Sequence, residues 1–136
     1  MAAVNSPKYT PKRILSVKMT SQTAPLVRPS STVAGVTAKF FRGLGDPTRI
    51  RVLQFLSEGE LTVGELVDLT GTLQGRLSSH LACLRWCGFV ATRREGRLVY
   101  YRVADDRVLS LLASADEFIA EHGESVDLCR VIDGGD

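Results

Sequence analysis

The sequence predicts a mainly α fold with one β-hairpin, and three observations carry that prediction. Apolar residues recur at helical spacing in five stretches between Val33 and Ile119, each bounded by a capping residue or a glycine. Two β-branched and aromatic runs, Phe89 to Arg93 and Leu98 to Val103, flank a Glu95-Gly96 turn signal. A length of 136 residues with 44% apolar content allows one core and is too short for two.

The first 30 residues stand apart from this pattern. Four of the five prolines fall there, and no acidic residue precedes Asp46, whereas seven basic ones do. Residues 1–30 therefore read as a disordered basic arm, or in part as sequence ahead of a later start at Met19. Their Ser/Thr-rich, acid-free composition superficially fits a transit peptide, but the prolines interrupt any amphipathic helix. Beyond Lys39 and Arg42 the balance reverses, with ten basic against fifteen acidic side chains. Any contact with nucleic acid must then depend on where individual arginines stand, not on the overall charge of +2.

Val33, Val36, Phe40, Phe41 and Leu44 predict a first helix ending near Gly43 or Gly45. Asp46-Pro47 starts a second, because Asp caps free N–H groups and Pro suits the first helical position. Its inward residues are Ile50, Leu53 and Leu56. Thr62-Val63-Gly64-Glu65 matches a capping box and opens a short third helix with Leu66, Val67 and Leu69, stopped by Gly71. Thr72 then caps a fourth helix, so the third and fourth form a helix-turn-helix. On a helical projection Leu73, Leu77, Leu81 and Leu84 share one face with His80, which reads as a packed core histidine. The opposite face carries Gly75, Ser78, Ser79 and Ala82, small enough to approach a groove, with Gln74 and Arg76 flanking it. Gly88 ends the helix.

The hairpin that follows makes the whole a winged helix-turn-helix over residues 31–123. Gln74, Gly75, Arg76, Ser78 and Ser79 are the expected DNA-reading residues, and Arg93, Arg94 and Arg97 at the wing tip the expected phosphate contacts. The bland alternative for those arginines is a solvated turn. Asp105-Asp106 begins a last helix with Val108, Leu111, Leu112, Ala115 and Ile119 on one side, up to Gly123. The apolar faces of the first and last helices exceed what so small a core can cover, which predicts a homodimer through those two helices. Residues 124–136 form a C-terminal tail carrying Cys129.

In that order, the segments LGDPTRIRVLQFL (44–56), ELTVGEL (60–66), SSHLACLRWCGFV (78–90) and GRLVYYRV (96–103) resemble the ArsR/SmtB family of metal-responsive repressors, over about residues 32–122. The resemblance implies an apo dimer that binds an operator inverted repeat and is released by metal. Family members that sense through the third helix carry cysteines where this chain has Thr62 and Gly64. Those that sense through the last helix use an Asp and two His, whereas this helix offers Asp116, Glu121 and His122 without a second His. What does match is Cys83-Leu84-Arg85-Trp86-Cys87-Gly88, similar to the cadmium- and lead-sensing branch. There two cysteines of the reading helix and one C-terminal cysteine from the partner subunit bind the metal, which would make Cys129 the third ligand.

Cys83 and Cys87 are one helical turn apart, their Cβ atoms about 5–6 Å from each other. Three thiolates make a soft site that prefers large thiophilic ions, hence Cd(II), Pb(II) or Hg(II) as inducer, with no organic cofactor. Alternatively the two are small core hydrophobes, or form a disulfide in a thiol redox-sensing repressor. A metal-buffering or protein-interaction module that no longer reads DNA is a further possibility. The odd cysteine count, with no secretory signal and no long apolar run, predicts a cytoplasmic protein without membrane contact. Nothing resembles a nucleophile paired with its base, so no enzyme is expected.

Overall fold

The computed structural model describes residues 32–129 and 132–133. The arm predicted for residues 1–30 lies outside them, as does part of the tail. The chain divides into two compact units, 1–39 and 40–136, and the packing described below is that of the second.

The elements are α1 (Val33–Leu44), α2 (Pro47–Leu56), β1 (Leu61–Thr62), α3 (Val63–Thr70), α4 (Gln74–Trp86), β2 (Val90–Glu95), β3 (Leu98–Val103) and α5 (Asp106–Asp127). Helices α3 and α4 form the helix-turn-helix and β2–β3 the wing, so the fold is the winged helix-turn-helix that the sequence predicts.

Local chemistry explains where these helices start. The Asp46 carboxylate accepts from the backbone N–H of Thr48 and Arg49, with Pro47 at the first helical position. Thr62 and Glu65 close a reciprocal capping box, each side chain bonding the other's backbone N–H. Asp105 caps α5 through the Arg107 N–H. The Arg107 side chain, and then its backbone N–H, hold the Asp105 carboxyl down to about 2. A lowered carboxyl pKa favours the fold above the ordinary carboxylate range and ceases to do so as pH falls toward 2, so this cap persists through mild acid.

Val52, Leu53, Leu66, Leu77, Leu81 and Leu84 are fully buried, and Phe89, Val90 and Val108 close the core around them. Three sides of this core come from α2, α3 and α4. Of α5 only Val108 is fully buried, with Leu109 and Leu112 packed beside the core, and every residue from Ala113 to His122 is exposed.

Several expectations need correction. Thr72 does not cap α4: its N–H donates to Thr70 Oγ1 at 3.2 Å, and Leu73 takes the cap position without a side-chain bond. Leu73 therefore has extended backbone, lies off the leucine face, and is 78% exposed. Leu69 is likewise exposed. The hairpin ladder reaches the Glu95–Leu98 pair, so its two-residue turn is Gly96-Arg97, not Glu95-Gly96. Gly96 has φ +63°, and among the described residues no non-glycine has positive φ, the sign pattern of a II′ turn. The structure also adds a third strand, β1. It pairs with β3 in the order β1-β3-β2 and ties the loop before α3 to the wing. Finally, α5 continues through Gly123 to Asp127, so most of the predicted tail up to Cys129 is helical.

Leu53 is fully buried, whereas Leu73 is exposed. Leu53→Ala should lower unfolding free energy by about 2–5 kcal/mol, whereas Leu73→Ala should change it by less than about 0.5 kcal/mol, as read from urea titrations of both variants.

Candidate nucleic-acid interface and thiol site

Burying Leu77, Leu81 and Leu84 fixes the rotation of α4 about its axis. As a result Gln74, Gly75, Arg76, Ser78 and Ser79 are all exposed. An added Cβ at Gly75 would meet nothing within 4 Å, so the backbone there is open to close approach. Arg76 and Ser79, with His80, line one wall of a concave cleft of about 520 Å³ whose other wall is Asp46 and Thr48 of the α2 start and residues 71–73 of the turn.

The wing arginines separate into two kinds. Arg93 Nε donates to both carboxylate oxygens of Glu60, at 2.8 and 3.0 Å, and Nη1 donates to Glu95 at 3.2 Å. Its guanidinium also lies 4.6 Å from the Tyr100 ring centroid. Glu60, and then Glu95, raise its pKa above the ordinary value. Arg93 is thus committed to bracing the wing against the loop before β1. Arg94 and Arg97 have no ion pair among the described residues. By strand alternation Arg94 lies on the same face as Thr92, Tyr101 and Leu61, the face that packs on the core further down. Arg97 occupies the turn. The sequence groups the three because it shows neither the alternation nor Glu60.

At the other end of α4 the helix closes in a Schellman motif. Phe89 N–H donates to Leu84 O at 2.9 Å and Gly88 N–H to Arg85 O at 3.0 Å, with Gly88 at φ +82° and Leu84 and Phe89 both buried. A side chain at position 88 would strain this reversal. The motif sets Cys87 as the C-cap, its N–H bonded to Cys83 O at 3.0 Å. The turn joining the two thiols is closed and helical. Cys83 is half-buried and Cys87 exposed, so neither is a buried core hydrophobe.

The Cys87 thiol rests against α1. A Cβ built on Gly43 would meet Cys87 Sγ at 3.1 Å and the Phe89 ring at 3.3 Å, a separation at which the thiol or the ring would have to give by a few tenths of an ångström. Beside it is a mostly apolar pocket of about 320 Å³ walled by Phe40, Phe89, Val108 and Leu111, with Asp105 and Arg107 at its edge.

Cys129 follows the end of α5 and is half-buried. Among the described residues no three His, Cys, Asp or Glu side chains gather as a metal cage. Within one chain the three cysteines are therefore not brought together. Two thiolates one turn apart still suit a thiophilic ion better than a hard cation that prefers oxygen. His122 stacks near Phe118 at 4.5 Å, on an exposed stretch of α5.

Sequence reasoning missed Arg49. Its Nε donates to Gly43 O at 2.8 Å, Nη2 to Arg42 O at 3.2 Å, and Nη1 lies 3.2 Å from His80 Nδ1. His80, 17% exposed, also lies 3.8 Å from Asp46 Oδ1. One signal was available. A cation in the first turn of a helix opposes the helix dipole, so Arg49 directly after Asp46-Pro47-Thr48 pointed to acceptors elsewhere.

Residues 46–92 match the family described as bacterial regulatory protein, arsR family. The "Probable mercury resistance operon repressor" of Streptomyces lividans is 45% identical over 98 residues, which are 72% of this chain and 78% of that protein. The HTH-type transcriptional regulator CmtR of Mycobacterium tuberculosis is 41% identical over 75 residues, 55% of this chain and 64% of CmtR. Among solved structures, a homodimeric winged helix-turn-helix DNA-binding domain from Mycobacterium bovis superposes with a TM-score of 0.58 at 32% identity. The match covers 63% of this chain and 80% of that one.

Filling the contact at Gly43 should be costly despite the better helix propensity of alanine. Gly43→Ala is expected to lose about 1–3 kcal/mol from overpacking, and part of that loss should return in the Gly43→Ala/Cys87→Ala double variant. A double-mutant cycle in denaturant measures this, and additive losses would mean that the thiol does not set the limit.

Proposed function

This chain belongs to the arsR family of bacterial regulatory proteins, and from that premise we propose that it is a homodimeric repressor that holds operator DNA when metal-free and releases it when a soft metal ion binds its thiolates. The observation that carries this reading is the placement of Cys83 on the last turn of α4 and Cys87 at its C-cap, on the helix whose first turns present Gln74, Gly75, Arg76, Ser78 and Ser79 outward. One rigid element then bears both functions.

Each half of the reading has its own support. For DNA, the first amides of α4 have no side-chain cap, which suits a phosphate at that end. Arg94 and Arg97 extend the positive surface to the wing, and Arg93 contributes by holding the wing in place. An inverted repeat would match the symmetry of a dimer. For the dimer, Phe118, Ile119 and Val126 are exposed on α5 and Leu128 at its C-cap, and Val33, Val36 and Phe41 on α1. A helix of 22 residues that is exposed at every described position from Ala113 to His122 calls for a partner.

The metal site would comprise Cys83, Cys87 and, from the other subunit, Cys129. The lack of a three-ligand group among the described residues of one chain favours that crossed arrangement. Such an ion supplies strong thiolate bonds, and the protein supplies two donors at fixed spacing on a helix that must stay correctly oriented to fit a groove. A coupling of about 1–3 kcal/mol between metal and DNA would suffice for a switch. Cd(II) and Pb(II) fit three thiolates. Hg(II) is the second reading, favoured by the 45% identity to the mercury resistance repressor; a redox switch through the same cysteines is a third.

Gel shifts on the DNA upstream of its own gene should show binding that weakens about 5- to 150-fold with one of Cd(II), Pb(II) or Hg(II). Unchanged binding under all three ions would sink the sensor reading, and a peroxide-induced disulfide found by mass spectrometry would replace it. Cys83→Ser or Cys87→Ser should abolish the thiolate-to-metal ultraviolet band, and Cys83→Ser should leave metal-free DNA binding nearly intact. Retention of full metal affinity in Cys129→Ser would remove the tail from the site.

On the wing, Arg94→Ala and Arg97→Ala should each lower the slope of log affinity against log salt by about 1. Equal losses for Arg93→Ala, with no loss of thermal stability, would contradict its bracing role.

A further inference from the structure

Gly43 is touched from two directions. Its Cα faces the Cys87 thiol across a contact too tight for a side chain without movement of the thiol, and its carbonyl accepts from Arg49 Nε at 2.8 Å. The same guanidinium reaches Arg42 O and, through Nη1, His80 Nδ1 at 3.2 Å. His80 lies in the middle of α4, directly after Ser79. A single planar side chain therefore joins the end of α1, where the thiol rests, to the reading helix.

The chemistry of this link is restrictive. A guanidinium only donates, so in this bond the His80 ring accepts at Nδ1. Arg49 spends three of its donors on two carbonyls and one ring nitrogen, in directions set by its rigid fork. Asp46 holds the other end of the arrangement, capping α2 at Thr48 and at the Arg49 N–H itself while lying 3.8 Å from the same ring nitrogen. Both ends of Arg49, backbone and side chain, are thus pinned. The side chain is part-buried, where such bonds are worth more than on an open surface.

We infer that Arg49 is a positioning residue that makes the tilt of α4 depend on the contact between Cys87 and Gly43. The inference rests on the proposed thiol sensor and deepens it. A change at the Cys87 thiol alters where the end of α1 can sit. Arg49 is bonded to that end and to His80, so the reading helix must follow or the brace must break. Without the brace, the thiol end of α4 and its DNA end are joined only by the helix itself and by general packing.

The test compares full-length wild type with Arg49→Lys, His80→Ala and His80→Asn. Lysine keeps the charge but cannot reach three acceptors at once. His80→Asn removes the ring yet places an amide oxygen near where Nδ1 stood, so it can still accept from Arg49. Three measurements are made on each protein: affinity for the DNA upstream of its own gene, the same affinity with Cd(II) or Hg(II), and the thiolate-to-metal ultraviolet band. Arg49→Lys and His80→Ala should form the band as wild type does, yet their metal-induced loss of DNA affinity should shrink about fivefold or more. His80→Asn should keep the wild-type loss.

An undiminished loss in Arg49→Lys overturns the inference, as does His80→Asn behaving like His80→Ala, since ring packing would then be what matters. If His80→Ala fails to fold, Arg49→Lys and His80→Asn decide alone. Should wild type bind DNA equally with and without metal, the sensor reading fails by itself. Metal-free affinities then judge the brace, which requires Arg49→Lys to bind about fivefold more weakly and His80→Asn to match wild type.

Discussion

The rotation of α4 about its own axis is the constraint on which the rest depends. Leu77, Leu81 and Leu84 are fully buried, and their spacing leaves the helix one way to face the core. That choice turns Gln74, Gly75, Arg76, Ser78 and Ser79 outward at one end and leaves Cys83 half-buried and Cys87 exposed at the other. Neither function has to be positioned separately. The Schellman closure at Gly88 then fixes where the helix stops, and so where the second thiol stands relative to α1.

What was legible in the sequence was local. Helix spacing, the Asp46-Pro47 start and the Thr62–Glu65 capping box all act within a few residues, and the structure shows each of them. What was not legible depended on distant partners. Thr72 resembles a cap, but the helix starts one residue later with Leu73 at the cap position, which leaves Leu73 outside the leucine face. β1 is two residues long and exists only because β3 lies beside it. Gly123 reads as a stop, yet a glycine within a helix costs only about 1 kcal/mol, and α5 runs through it.

The candidate site followed the same division. The exposure of the five α4 residues follows from periodicity and was readable, as was the one-turn spacing of the thiols. That Arg93 differs in kind from Arg94 required Glu60, 33 positions away. Arg49 and Gly43 gave only indirect signs, since a hydrogen bond from one helix start to the end of another leaves no pattern in sequence spacing. Cys129 is the candidate ligand that sequence spacing ties least to the others, because the whole of the wing and α5 separates it from Cys87.

The exposed length of α5 has a consequence for how the protein exists in a cell. From Ala113 to His122 every residue of the helix is exposed, so in the proposed dimer its order would be a property of concentration as much as of sequence. Under that reading, chains at low copy number would leave this segment uncovered, and Cys129 follows the segment's end. Abundance would then set how much of the population possesses the proposed site, giving the number of molecules a role that is usually left to binding constants.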